Sequence, residues 1–207
     1  MSLSVGILLY EGVELLDFAG PYEVFTVASR VSQLDDPAGA EPFTTFTVGR
    51  EAGLVRTHAG LLIPAEYGLS DHPAIDVLVV PGGVVDDARA DADLAGWITR
   101  VSASAQLTAS VCTGAFLLAD AGLLDGHAAT THWMDVDDLQ SECPSVRVLR
   151  GVRWVDEGPV VTAAGISAGI DMSLHLVERL AGRELALQTA RYMEYVWDEG
   201  PGRPHAS

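Results

Sequence analysis

A cysteine occupies a position suited to a nucleophile. Ser110-Val111-Cys112-Thr113-Gly114 follows the apolar run Leu107 to Val111 and precedes the helix-forming Ala115-Phe116-Leu117-Leu118. Small residues flanking the central one let a strand reverse sharply into a helix and leave that side chain exposed at the turn. The positive end of the helix and its unpaired N–H groups favour a thiolate there. The competing role for a free cysteine is structural burial. That role is expected for Cys143, because the acidic Glu142 beside it opposes a thiolate.

A reactive thiol needs a proton partner. Asp17 fits: it sits among apolar neighbours in Leu15-Leu16-Asp17-Phe18-Ala19-Gly20-Pro21, where desolvation raises a carboxyl pKa toward neutrality. Its competing role is to cap the helix that follows. Glu23 is a second acid nearby, expected on a helix and facing solvent or a neighbouring chain. His132, in Thr130-Thr131-His132-Trp133, is the nearest histidine candidate and could equally be a packing residue. Donors for developing negative charge would come from the N–H groups of Gly83 and Thr113, with Pro81-Gly82-Gly83 allowing close backbone approach. Ala164-Gly165-Ile166-Ser167-Ala168-Gly169 would close the pocket with its backbone, and the Thr113 and Ser167 hydroxyls are candidates for substrate contact or helix capping.

These residues need elements to hold them. Ser4 to Tyr10, Ile75 to Val80, Leu107 to Val111 and Val160 to Ala163 are short apolar runs of the kind buried on both faces of a parallel sheet. Phe43 to Val48 alternates as a strand, Gly60 to Pro64 adds a minor one, and a strand pair is expected near Val146 to Val155. Helices are predicted from Pro21, with that proline in the first turn, to Asp35-Asp36-Pro37, and over Ala92–Ser104, Asp171–Leu180 and Glu184–Val196. Alternating strands and helices imply one three-layer α/β sandwich, flavodoxin-like, with a mostly parallel sheet. It spans residues 1–207 as a single domain, with its core at about 4–197 and a flexible tail at 198–207. In such sheets ligands bind beyond the carboxyl ends of the strands, which selects the loops Glu11 to Gly20, Pro81 to Gly83, Cys112 to Gly114 and Ala164 to Gly169.

Composition narrows the function classes. Lys and Arg number 12 against 29 Asp and Glu, a net charge of −17, so clusters that could neutralise phosphates are missing and nucleic acid is not an expected partner. No run reaches the roughly 18 apolar residues of a membrane span, and the start lacks a basic segment before its apolar stretch, so a cytoplasmic protein is expected. The histidines at 58, 72, 127, 132, 175 and 205 show no paired ligand spacing, and no phosphate-binding glycine loop occurs, so neither metal nor cofactor is expected.

Taken together, Leu16-Asp17-Phe18-Ala19-Gly20-Pro21-Tyr22-Glu23, Val80-Pro81-Gly82-Gly83, Ser110-Val111-Cys112-Thr113-Gly114, Ala129-Thr130-Thr131-His132-Trp133 and Gly165-Ile166-Ser167-Ala168-Gly169-Ile170-Asp171 resemble the ThiJ/PfpI superfamily, within the class I glutamine amidotransferase-like fold. More narrowly they resemble its isonitrile hydratases, from about Val5 to Tyr195. The resemblance implies a cofactor-independent enzyme acting on a small molecule. Cys112 would attack the isonitrile carbon to give a thioimidate, Asp17 would be the acid and base, and Thr113 would position both. The backbone at Gly165-Ile166 would face the sulfur, and the assembly would be a homodimer. Thr113 stands where the protease-like branch carries histidine, which argues against peptidase activity. The same motifs resemble the ligand domain of AraC-type regulators, whose DNA-binding helices would need chain beyond Ser207, so a stand-alone enzyme or sensor is expected. A non-enzymatic small-molecule or oxidation sensor with a low-pKa Cys112, or a glyoxalase- or deglycase-like enzyme, are the competing functions.

Overall fold

Burial on both faces organises the sheet. The computed structural model describes residues 2–200, so residues 201–207 of the expected flexible tail lie outside the described residues. Its first half runs β1 (Leu3–Leu8), α1 (Leu15–Asp35), β2 (Phe43–Val48), β3 (Gly53–Arg56), β4 (Leu62–Ala65), β5 (Val77–Val80), α2 (Asp86–Ala90), α3 (Ala92–Ser104), β6 (Leu107–Val111) and α4 (Gly114–Asp120). The second half adds β7 (Ala128–Ala129), α5 (Val136–Glu142), β8 (Arg147–Val148), β9 (Trp154–Asp156), β10 (Val160–Ala163), α6 (Ala168–Ala181) and α7 (Arg183–Tyr192). Every residue of β5 and β6 is buried, as a strand covered from both sides requires.

Six strands stand in the order β2-β1-β5-β6-β10-β9. All neighbours are parallel except β9, which returns antiparallel along β10. From β1 the chain steps outward to β2 through α1, whereas from β5 it steps the other way to β6 through α3. Right-handed crossovers in opposite directions put those helices on opposite faces. One layer is α1, α6 and α7, packed together; the other is α2, α3 and α4. The strand order reverses between β1 and β5, and the crevice at their carboxyl ends is where α/β sheets bind ligands.

The first helix departs from the sequence expectation. It begins at Leu15 rather than at Pro21, capped by Glu14, whose Oε1 accepts from the Leu15 N–H at 3.2 Å. Pro21 therefore lies inside the helix, where a missing N–H and a ring clash cost about 3 kcal/mol. Burial of Phe18, Val24 and Phe25 offsets that cost. Asp17 consequently projects from a helical first turn instead of a loop. The strand pair expected near Val146 to Val155 is also rearranged: β8 pairs with β7, and β9 with β10. The minor strand around Gly60 to Pro64 is β4, with β3 as its partner.

Candidate active site

Cys112 has a left-handed backbone, φ 57°, a conformation that costs a non-glycine residue on the order of 1–3 kcal/mol and persists only where its surroundings enforce it. Both of its backbone polar groups are held. Its N–H donates to the carbonyls of Ala163 and Ala164, at 3.1 and 3.2 Å. Its carbonyl accepts from the Thr131 hydroxyl at 2.8 Å. The turn from β6 into α4 is thus clamped to the end of β10 and to the segment after β7, leaving the side chain 8% exposed.

Asp17 is fully buried, and its Oδ2 accepts from the Gly82 N–H at 3.1 Å. Oδ1 makes no hydrogen bond of normal geometry, although the Cys112 thiol and the Ile166 N–H approach closely enough to favour a charged carboxyl. Burial dominates and raises the Asp17 pKa to about 7, with the Glu14 charge adding to the rise. The thiol answers in kind. Burial first, then the charge on Asp17, push Cys112 up to about 12, against a downward pull from the Thr113 N–H. The expected thiolate is therefore corrected: a largely buried sulfur beside a carboxylate keeps its proton, and the helix end does not outweigh those two effects. Tyr10, buried beneath both groups' influence, donates its hydroxyl to the Pro81 carbonyl at 2.9 Å.

The glycines after β5 serve these side chains. The Gly82 N–H is taken by Asp17 and the Gly83 N–H by the Thr113 hydroxyl, at 2.9 Å. Neither is free to face a substrate, which replaces the oxyanion role expected of the Gly83 N–H, and the close substrate approach expected at Gly82, with a scaffold. Position 82 must be glycine for a steric reason: a Cβ there would lie 2.6 Å from Thr113 N and 2.9 Å from Asp17 Oδ2.

A cavity of about 310 Å³ opens over the sulfur, lined by Cys112, Thr113, Gly83, His132 and Ile166 together with Glu14, His58, Val84, Met134 and Asp135. Ile166, like Cys112, has a left-handed backbone, φ 51°. His132 packs its ring onto Gly165, where a Cβ would come within 2.1 Å of Cδ2. Its Nδ1 lies 3.3 Å from Asp135 Oδ2. Gly165 and Ser167 instead line an adjoining cavity, which shares His132 and Ile166 and adds Trp133, Arg150 and Arg153. The Ser167 hydroxyl accepts from Arg153 at 3.3 Å and does not cap α6.

Of the sequence candidates, Cys112, Asp17, Thr113, Ile166 and His132 converge, whereas Gly82 stands behind them as support. Glu14, His58 and Asp135 were not among the candidates. Glu14 precedes Asp17 by three residues and Asp135 follows His132 by three, and Glu14, Asp135 and His132 line the cavity together. Cys143 is half-buried, and both cysteines are free thiols. Among the described residues no group of three His, Cys, Asp or Glu side chains is placed to hold a metal ion, and no helix is long and apolar enough to cross a membrane.

Comparison with known proteins adds to this geometry. A protein named isonitrile hydratase from Pseudomonas putida is 34% identical over 196 residues, covering 94% of this chain and 79% of its own. The HTH-type transcriptional regulator GbdR from Pseudomonas aeruginosa is 29% identical over 93% of this chain, which spans 50% of the regulator's length. A crystal structure of a ThiJ/PfpI family protein from Pseudomonas syringae superposes with a TM-score of 0.83 at 27% identity, covering 100% of this chain and 80% of its own. The model of the DJ-1/PfpI family matches residues 3–179, and with the cysteine turn, the parallel sheet and these relatives in agreement, the chain belongs to that family.

Proposed function

We propose that this protein is a cofactor-independent hydratase that converts isonitriles to N-substituted formamides. One observation carries the reading: a thiol that lines a cavity lies against a fully buried carboxyl, with the carboxyl raised to about 7 and the thiol to about 12. At neutral pH such a pair holds its proton on sulfur while the carboxylate is free to take it, which suits a reaction that moves one proton from sulfur to carbon. The substrate class comes from the 34% identical relative.

The steps balance as follows. Sulfur bonds to the terminal isonitrile carbon as Asp17 takes the thiol proton. That carbon retains an electron pair, which accepts the proton back from Asp17 and gives a thioimidate. Water then adds to the thioimidate carbon, with one of its protons passing through Asp17 to nitrogen. The C–S bond breaks, its electron pair leaves with sulfur, and the remaining hydroxyl proton returns to the thiol as the formamide carbonyl forms. Thr113 holds the turn through Gly83 and directs its N–H at the sulfur.

The reading includes a homodimer. Val84, Trp133, Met134 and Ile166 are exposed apolar side chains around the two adjoining cavities, Trp133 by 75%, and a second copy covering this rim would remove it from water. A ligand-sensing role without chemistry is the second reading, favoured by the regulator relative and by a thiol held protonated. Incubation with an alkyl isonitrile, with formamide followed by mass spectrometry, separates the two. Turnover abolished in both Cys112→Ala and Asp17→Asn supports the hydratase. Binding without formamide, equal in both variants, supports the sensor, and consumption of methylglyoxal in its place supports the glyoxalase-like alternative.

A further inference from the structure

The cavity over Cys112 carries a sign. Apart from the thiol, its ionisable side chains are Glu14, Asp135, His58 and His132, and no lysine or arginine lines it. Glu14 is fixed as the cap of α1, and Asp135 sits at the start of α5 with Oδ2 3.3 Å from His132 Nδ1.

The neighbouring cations are committed elsewhere. Arg150 pairs with Asp137 and Arg153 with Asp171. Arg89, on the far side of Thr113, is shared by Asp120 and Glu142. Two carboxylates thus face the cavity without an arginine to offset them. Their fields reach the reacting pair: the Glu14 charge adds to the rise of Asp17 and the Asp135 charge to that of Cys112.

Resting on the hydratase reading, we propose that Glu14 and Asp135 are specificity-determining residues, a charge filter that rejects isonitriles with an anionic N-substituent and favours those with a cationic one. The physical reason is Coulombic. Like charges held a few ångströms apart against a protein wall repel appreciably even when partly hydrated, and opposite charges gain as much. The net charge of −17 acts in the same direction at longer range, concentrating cations near the surface.

Three isonitriles on the same two-carbon chain test the filter, ending in trimethylammonium, its uncharged tert-butyl isostere, or carboxylate. The expected order of kcat/KM is cationic, neutral, anionic, with at least about tenfold between the extremes at low salt. The ratio should shrink at about 1 M salt, where charges are screened within about 3 Å. In a Glu14→Gln, Asp135→Asn double variant it should fall to near unity; both replacements keep an oxygen for the Leu15 N–H and for His132. A wild-type ratio near one, or a ratio unchanged in the double variant, overturns the proposal.

A second arm reads the same field without turnover, by the rate of Cys112 labelling with iodoacetamide, iodoacetate and a trimethylammonium methanethiosulfonate. Each rate is taken relative to a small free thiol, to remove intrinsic reactivity. Labelling that discriminates by charge while no isonitrile is consumed keeps the filter and removes the hydratase. Formamide production without charge discrimination in either arm does the reverse.

Discussion

The Thr113 hydroxyl accepts from the Gly83 N–H and donates to the Gly83 carbonyl, both at 2.9 Å. One side chain therefore ties the loop after β5 to the turn after β6 and keeps Gly82 aimed at Asp17. Only a hydroxyl can donate and accept at that place.

Thr113→Val keeps the shape and removes both bonds. It should cost about 2 kcal/mol, roughly 1 kcal/mol for each hydrogen bond lost, whereas Thr113→Ser should stay near wild type in stability and in isonitrile turnover. Urea denaturation of the three proteins checks this. Equal stability of the Val and Ser variants would show that the cross-link contributes nothing.

Asp17 gives stability a pH dependence with a definite sign. Its pKa is about 7 in the folded protein against 3.8 for a freely solvated aspartate. Between those values the unfolded chain has lost the proton that the folded one retains, so the folded state binds more protons and its stability falls as pH rises through that interval. Above pH 7 the whole cost of burying the charge is present, about 4 kcal/mol at most from a shift of roughly three units. Asp17→Asn should therefore be more stable than wild type at about pH 8 and lose that advantage by about pH 4. The same variant should lose the rise in Cys112 alkylation rate near pH 7, retaining only a single increase at higher pH, centred below the wild-type thiol's value of about 12 because the Asp17 charge no longer raises it. Thermal melts and alkylation rates across that range measure both effects.

The sheet was legible because its strands announce themselves. Val77–Val80 is an unbroken apolar run and Leu107–Val111 an uncharged one broken only by the small Thr108 and Ser110, and double-sided burial explains such runs at strand length. Cys112 was legible for a related reason: small residues flank it at a strand's end. The start of α1 was not, because Pro21 is a strong local signal for a helix start, and packing of Phe18 and Phe25 overrides it. Nor could spacing reveal that the Gly82 and Gly83 N–H groups are already engaged, since their partners, Asp17 and Thr113, come from distant parts of the chain. The thiol's protonation was misjudged because the helix end is visible in sequence while depth of burial is not.

The contact between His132 and Gly165 is tight enough to test alone. A Cβ at position 165 would lie 2.1 Å from His132 Cδ2 and 3.1 Å from Nε2, so Gly165→Ala must displace the ring and loosen its contact with Asp135. The expected cost is about 1–3 kcal/mol, typical of overpacking. In the double variant Gly165→Ala, His132→Ala the clash disappears, and the two changes together should destabilise by less than the sum of their separate effects. Strict additivity in denaturation midpoints would mean that the ring is not held by that glycine.

Asp171 anchors a different part of the structure to the same loop. Its side chain is 1% exposed and accepts from the Arg153 guanidinium and, at 3.1 Å, from the Asp198 N–H. The Asp171 carbonyl accepts from Trp197 Nε1 at 3.2 Å, and Arg153 reaches on to the Ser167 hydroxyl. Asp198, expected in the flexible tail, is thus tied to the first turn of α6. Removing one partner of a buried ion pair leaves the other charge uncompensated, so Asp171→Ala should cost about 3–5 kcal/mol. The exposed bridge from Arg50 to Asp91 and Asp93 provides the contrast, and Arg50→Ala should leave stability close to wild type because water already solvates those charges. Limited proteolysis should cut the Asp171→Ala protein near residues 193–199 before it cuts wild type, with no such change in Arg50→Ala. Similar stability losses in the two variants, or an unchanged cleavage pattern, would rule out Asp171 as the latch for this segment.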